Sequence, residues 1–244
     1  MELSGLHHVT AVTAKAAENV AFYTNVLGLR LVKKTVNQDD VSAYHLFYGD
    51  GMGNAGTEVT FFDWATMGPN RPGSGEIAAI GLRVSDRETL DWWVRRFDEA
   101  DVTHGEIEHR AGHPMLPFTD PEGQRFDLVA GASDTGFAFT PWENSAVPAE
   151  RQIRGLSHVT LVVQQLAPTA SMLSGPLGFR RIDGDDVPGL AVLARGFTSR
   201  NVRIYRPPNS GPAVCTMWPS APRTTRSIAP GKRGSTAPGS ASPR

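Results

Sequence analysis

The apolar positions of the chain fall into three runs with the same internal order. The first opens with Leu6-His7-His8-Val9-Thr10-Ala11-Val12-Thr13, β-branched and apolar enough for a strand. Over Ala14–Val26, the residues Ala17, Val20, Ala21, Phe22, Tyr23 and Val26 make a helical face. Leu27-Gly28-Leu29 closes that helix, with Gly28 suited to a left-handed cap. Strands are predicted next at Arg30–Val36, Tyr44–Tyr48 and Glu58–Trp64, with a Gly- and Asp-bearing loop, Gly49–Gly56, before the last. The unit reads βαβββ.

The second run repeats it. Ile77–Val84 is a strand, Asp86 an N-cap, and Glu88–Ala100 a helix whose Leu90, Trp93, Val94 and Phe97 share a face. Weaker strands follow at Gly105–His109 and Met115–Thr119. Asp120-Pro121-Glu122-Gly123 is a turn, because Pro presets φ and Gly tolerates the last position. Arg125–Ala130 returns as a strand.

The third run matches the first at an offset of 150. Gly5-Leu6-His7-His8-Val9-Thr10 aligns with Gly155-Leu156-Ser157-His158-Val159-Thr160, and Leu27-Gly28-Leu29 with Leu177-Gly178-Phe179. That spacing suggests duplication of a two-unit half. Strands at Gly189–Arg195 and Asn201–Tyr205 complete the unit. The expected organisation is an N-terminal domain of two βαβββ modules (1–135), a linker (136–152), a third module (153–208) and a tail (209–244). The fold class is α+β, built from curved mixed sheets, with the fourth module missing.

Composition sharpens this picture at the end of the chain. Residues 1–186 hold 15 Lys/Arg and all 25 Asp/Glu, a net of −10, whereas residues 187–244 hold 9 Lys/Arg and no acid. Residues 209–244 include 25 Gly, Ala, Pro, Ser or Thr and show no helix or strand period. Such a composition buries too little apolar area to offset chain entropy. Five scattered basic residues and a single Trp218 make only a weak phosphate track, so no nucleic-acid partner is expected. No apolar run approaches a membrane span, and Met1–Thr10 lacks the regions of a signal peptide, so a cytoplasmic protein is expected. One cysteine, Cys215, excludes an internal disulfide framework and a Cys-rich zinc site.

The opening strand carries the candidate chemistry. Strand alternation lets only one of His7 and His8 face a site, and it puts Thr10 on the face of His8. A metal needs further ligands. Two His and one carboxylate would leave open positions on Fe(II).

The chain resembles the vicinal oxygen chelate (glyoxalase/extradiol dioxygenase) superfamily, and within it ring-cleaving dioxygenases of the hydroquinone type. Leu6–Thr10, Phe22-Tyr23, Leu27–Asn37, Tyr44–Asp50, Gly56-Thr57, Thr60–Phe62, Trp92-Trp93, Asp120–Gly123 and Tyr205–Pro208 carry the likeness. The resemblance implies Fe(II), or Mn(II), held by two His and one Glu, with a small aromatic substrate and O₂ as partners and a homo-oligomer in view. It places the first metal ligand at His8, with His7 and Thr10 as neighbours that orient ligand and substrate. It places the other His and the Glu in the fourth module, where this chain shows neither, so loss of iron and of activity is expected. His158 is the repeat counterpart of His8, and Asp127 lies where other members carry a metal carboxylate; both read as vestigial. His45 reads as a residue that packs or bonds locally, and His104, His109 and His113 as solvated. Two other readings stand beside this one: a further superfamily enzyme, and a metal-free small-molecule-binding protein.

The tail has a possible origin in the genetic code. Read from the third base of the Val214 codon, Val214–Ser220 permits Val-His-His-Val-Ala-Phe, and the single codons of Met217 and Trp218 force its second Val and its Ala. That is how the family's fourth module opens. The stretch after about residue 210 is therefore expected to be out of frame, the alternative being a natural disordered tail that fits by chance.

Overall fold

The computed structural model describes residues 6–205 apart from 39, 111, 132–137, 178, 182–188 and 197–198. The predicted tail, and the place where a fourth module would begin, lie outside the described residues.

The first module is β1 (His8–Thr13), α1 (Ala16–Ala21), β2 (Arg30–Val36), β3 (Tyr44–Gly49) and β4 (Glu58–Asp63). The helix is shorter than the apolar periodicity predicts. Its continuation, Phe22–Val26, is a π-helical turn in which the Leu27 N–H donates to the Phe22 carbonyl. That wider turn buries the consecutive rings of Phe22 and Tyr23 together. Gly28 then takes φ +68, and a Cβ there would meet Ser145 Oγ at 2.5 Å. The Ser145 hydroxyl donates to the Gly28 carbonyl, so the connecting segment before the third module is docked onto this turn.

The second module is β5 (Glu76–Val84), α2 (Arg87–Glu99), β6 (Glu108–Arg110), β7 (His113–Thr119) and β8 (Arg125–Ala130). Asp86 caps α2 by accepting from the Thr89 N–H at 2.8 Å, and the helix buries Leu90, Trp93 and Phe97. The third module is β9 (Leu156–Val162), α3 (Leu166–Ser174), β10 (Arg180–Arg181), β11 (Gly189–Gly196) and β12 (Ser199–Tyr205).

Two sheets result. The first module forms a four-stranded sheet ordered β1-β4-β3-β2, with β1 parallel to β4. The second and third modules share eight strands ordered β10-β12-β11-β9-β5-β8-β7-β6. The turn at Asp120–Gly123 ties the first module to the second. The buried Tyr23 hydroxyl donates to Asp120 Oδ2 at 3.0 Å, and the Glu122 carboxylate accepts from the Thr13 hydroxyl and from the Ala14 N–H. Burial raises the pKa of Asp120 and that of Tyr23, so the carboxylate that receives the phenol sits in a dry environment.

The seam of the larger sheet is the antiparallel pairing of β5 with β9, the opening strands of two modules. Gly81 lies opposite His158 on one side and Asp127 on the other. Having no side chain, it leaves room for the His158 ring; an added Cβ would sit 2.2 Å from Nδ1. His158 Nε2 thereby comes within 3.4 Å of Asp127 Oδ2, and the Arg110 guanidinium donates to Oδ1 at 3.1 Å. His158 and Asp127 are 1% and 2% exposed. Burial pushes the Asp127 pKa up, but the facing His158 and Arg110 outweigh it, and the net value lies below the ordinary 3.8.

Two outcomes follow from this seam. Gly81→Ala must displace a buried ring, and chemical denaturation should show a loss of about 2–3 kcal/mol. Ionised Asp127 contributes its full stabilisation above pH 3.8 and loses it as pH falls through its depressed folded value. Melting curves between pH 5 and 2 should therefore fall more steeply for the native chain than for Asp127→Asn, and parallel curves would contradict that assignment.

Candidate functional site

The register of the smaller sheet builds one face row by row. His8 on β1 pairs with Glu58 on β4. Thr10 pairs with Thr60, and Thr60 with Phe47 on β3. Val12 pairs with Phe62, and Phe62 with His45. Directly paired residues point the same way, so these side chains share a surface. The opposite face, carrying Val9, Leu46, Tyr48, Val59 and Phe61, is the apolar core.

Both histidines of the opening pair reach the site. His7 precedes β1, so strand alternation does not bind it, contrary to the expectation that only one of the two could turn inward. The Nδ1 atoms of His7 and His8 share a hydrogen bond of 3.1 Å, and the rings meet edge to face. Glu58 Oε2 lies 4.0 Å from His7 Nδ1. Burial, then the neighbouring His7, hold the His8 pKa below its ordinary 6.5, which favours the neutral imidazole that a metal requires. Burial and the charge of Asp50 move Glu58 the other way, upward.

His45 both bonds and packs locally, as expected. Its Nε2 lies 3.0 Å from Thr60 Oγ1, and the Thr60 hydroxyl donates to Thr10 Oγ1 at 2.8 Å. Its ring lies between those of Phe47 and Phe62, at centroid distances of 4.0 and 4.2 Å. Burial, His8 and Lys33 depress its pKa to about 4, so it is neutral at ordinary pH. Thr60 itself is fully buried. Neither His45 nor Thr60 carries a local sequence signal for this role. Only the strand register could have revealed it.

The remaining histidines lie elsewhere. His104, expected to be solvated, is half-buried. It bonds to Asp98 at 3.1 Å, lies against the Phe97 ring and has its pKa raised, chiefly by the Gly105 carbonyl. His109 is exposed, and His113 lies half-buried in β7. His158 and Asp127 belong to the seam.

Among the described residues, no three His, Cys, Asp or Glu side chains converge to hold a metal ion. No His follows residue 158 in the sequence, and no acid follows residue 186. Among the described residues, then, no two-His, one-carboxylate set is assembled. Nor is any helix among them long and apolar enough to cross a membrane.

Known proteins resemble this chain in sequence and fold. MhqA of Bacillus subtilis, assigned by name as a ring-cleaving dioxygenase, is 47% identical over 189 residues, which is 78% of this chain and 60% of that protein. The chlorohydroquinone/hydroquinone 1,2-dioxygenase of Sphingobium indicum is 34% identical over 67% of this chain and 51% of its own length. The chain thus spans about 60% of the first of these relatives and about half of the second. The crystal structure of a Bacillus subtilis protein assigned as a dioxygenase superposes with a TM-score of 0.70 at 31% identity, over 82% of this chain and 63% of that one. Glyoxalase I of Zea mays shares the fold, with a TM-score of 0.58 at 16% identity, over 82% of this chain and 67% of that one. The matching family signature covers residues 5–128, including the whole histidine-bearing sheet. By that match the chain belongs to the Glyoxalase/Bleomycin resistance protein/Dioxygenase superfamily.

Proposed function

We propose that the chain carries the scaffold, and one metal-ligating imidazole, of a dioxygenase that opens catechol- or hydroquinone-type rings with O₂. What supports this reading is the convergence of His8, Thr10, Thr60 and His45 on one face, in a chain 34% identical to a hydroquinone 1,2-dioxygenase. In the complete enzyme, Fe(II) or Mn(II) would supply open positions at which substrate and O₂ meet. His8 would be one ligand to it. His7, hydrogen-bonded to His8, would fix the orientation of that ring. The rings of Phe47 and Phe62 and the neutral His45 offer an apolar, aromatic surface to the substrate.

The present chain has one imidazole where three ligands are needed. A lone neutral imidazole makes neither a closed nor a selective metal site. Purified chain should therefore hold far less than one iron per molecule by elemental analysis. It should also consume no O₂ with hydroquinone or catechol in an oxygen-electrode assay. Stoichiometric iron with turnover would overturn this assignment, and tight metal-free binding of an aromatic by calorimetry would favour a binding protein instead.

A further inference from the structure

The edges of the two sheets are not finished alike. β2, at one edge of the smaller sheet, carries Lys33 and Lys34 and a register shift between Leu31 and Lys33. In the larger sheet, the edge strands β6 and β10 have only three and two residues. Charges, bulges and short strands of this kind keep an edge from pairing with another chain. β1 has none of them. It is six residues long, without Lys, Arg, Asp, Glu or Pro, and its ladder with β4 runs without a shift. Among the described residues, β4 is its sole ladder neighbour. The His7 and Thr13 carbonyls accept from the Gly56 and Trp64 N–H groups, on the β4 side. Alternation then turns the backbone groups of His8, Thr10 and Val12 to the open edge. The repeat counterpart of Val12 is Val162, whose carbonyl accepts from the Gly75 N–H across the seam of β9 with β5. The same backbone positions are thus bonded to an opening strand in one repeat and left open in the other.

We infer that the open edge of β1 pairs with β1 of a second copy of this chain, antiparallel about a twofold axis. The seam of the larger sheet supplies the register. There Ile80, a core residue of β5, lies opposite Val159 of β9, and Gly81 lies opposite His158. Val9 is the repeat counterpart of Val159 and the buried core residue of β1. Setting core residue against core residue puts Val9 opposite the partner's Val9 and His8 opposite the partner's Thr10. The exposed Val12 then lies opposite the partner's Leu6. This pairing is self-complementary, as a twofold interface requires: apolar meets apolar, and no charge meets its like. It joins two four-stranded sheets into eight strands with the opening strands at the centre, where β9 and β5 stand in the larger sheet. It also brings the partner's Thr10 beside His8, so the polar face runs on across the axis. The inference stands apart from the aromatic reading, because it needs only the backbone edge and its apolar flanks.

Sedimentation of the purified full chain should show a monomer–dimer equilibrium in the micromolar range. Val12→Lys places a charge against the partner's Leu6 and should weaken dimerisation by roughly tenfold or more, with the circular dichroism of the monomer unchanged. Cysteine cross-linking reads the register. In a Cys215→Ser background, Val9→Cys should give a disulfide-linked dimer on mild oxidation, because directly opposed residues of a non-hydrogen-bonded pair lie close enough for the bond. Ala11→Cys should not. A chain that stays monomeric throughout that range would overturn the inference. So would a dimer indifferent to Val12→Lys, or a cross-link at Ala11 in place of Val9. Hydrogen exchange addresses the other occupant. The Thr10 and Val12 amides should be protected in the dimer and exchange freely on dilution; protection in a monomer would assign the edge to residues 206–244 of the same chain and refute the second copy.

Discussion

The pairing of β5 with β9 across Gly81 governs how the rest of the molecule is arranged. The second and third runs of strands, each with one helix, join through their opening strands into one eight-stranded sheet. The fusion needs a residue without a side chain at the crossing, because a buried imidazole occupies the space above it. It also needs compensation for the polar groups it encloses. The cluster of His158, Asp127 and Arg110 supplies that from three strands at once. A buried charge with one partner removed is strongly destabilising, so the three residues are retained or lost as a group.

The first module follows different rules. Its opening strand has β4 as its only ladder neighbour among the described residues, and its polar face carries side chains capable of chemistry. The same strand position bears His8 in one module and His158 in another, with opposite outcomes. His158 faces a carboxylate, itself held by a guanidinium, in a dry seam. His8 faces another imidazole on a half-open surface. One element thus serves structure in the second sheet and lines an open polar face in the first, and the difference lies in what the neighbouring strands bring.

Much of this was legible in the residues. Alternation put His8 and Thr10 on one face, the offset of 150 located His158, and Asp86 announced the start of α2. The rest depended on register. His45 and Thr60 meet diagonally across two strands, and nothing local to Tyr44–Gly49 reports what Glu58–Asp63 will place beside it. Gly81 is unremarkable until a strand more than seventy residues away lies across it. The π-helical turn leaves no mark in the sequence, because apolar periodicity at 3.6 residues continues through Phe22–Val26, whereas the hydrogen bonding there does not. His7 escapes alternation for a simpler reason: the rule holds only inside a strand, and the strand begins one residue later.

The parallel pairing of β1 with β4 has a kinetic side. β2, β3 and β4 can zip together as neighbours along the chain, but β1 joins β4 across a gap of about fifty residues. Long-range parallel pairing pays loop-closure entropy before any contact repays it, which places it late in folding. By that argument the strand that bears His8 is expected to dock last in its sheet. Until it docks, Thr60 has no partner on β1, and the polar surface beside His8 does not exist. The chemistry of this face becomes available only when the longest-range step in its own sheet is complete.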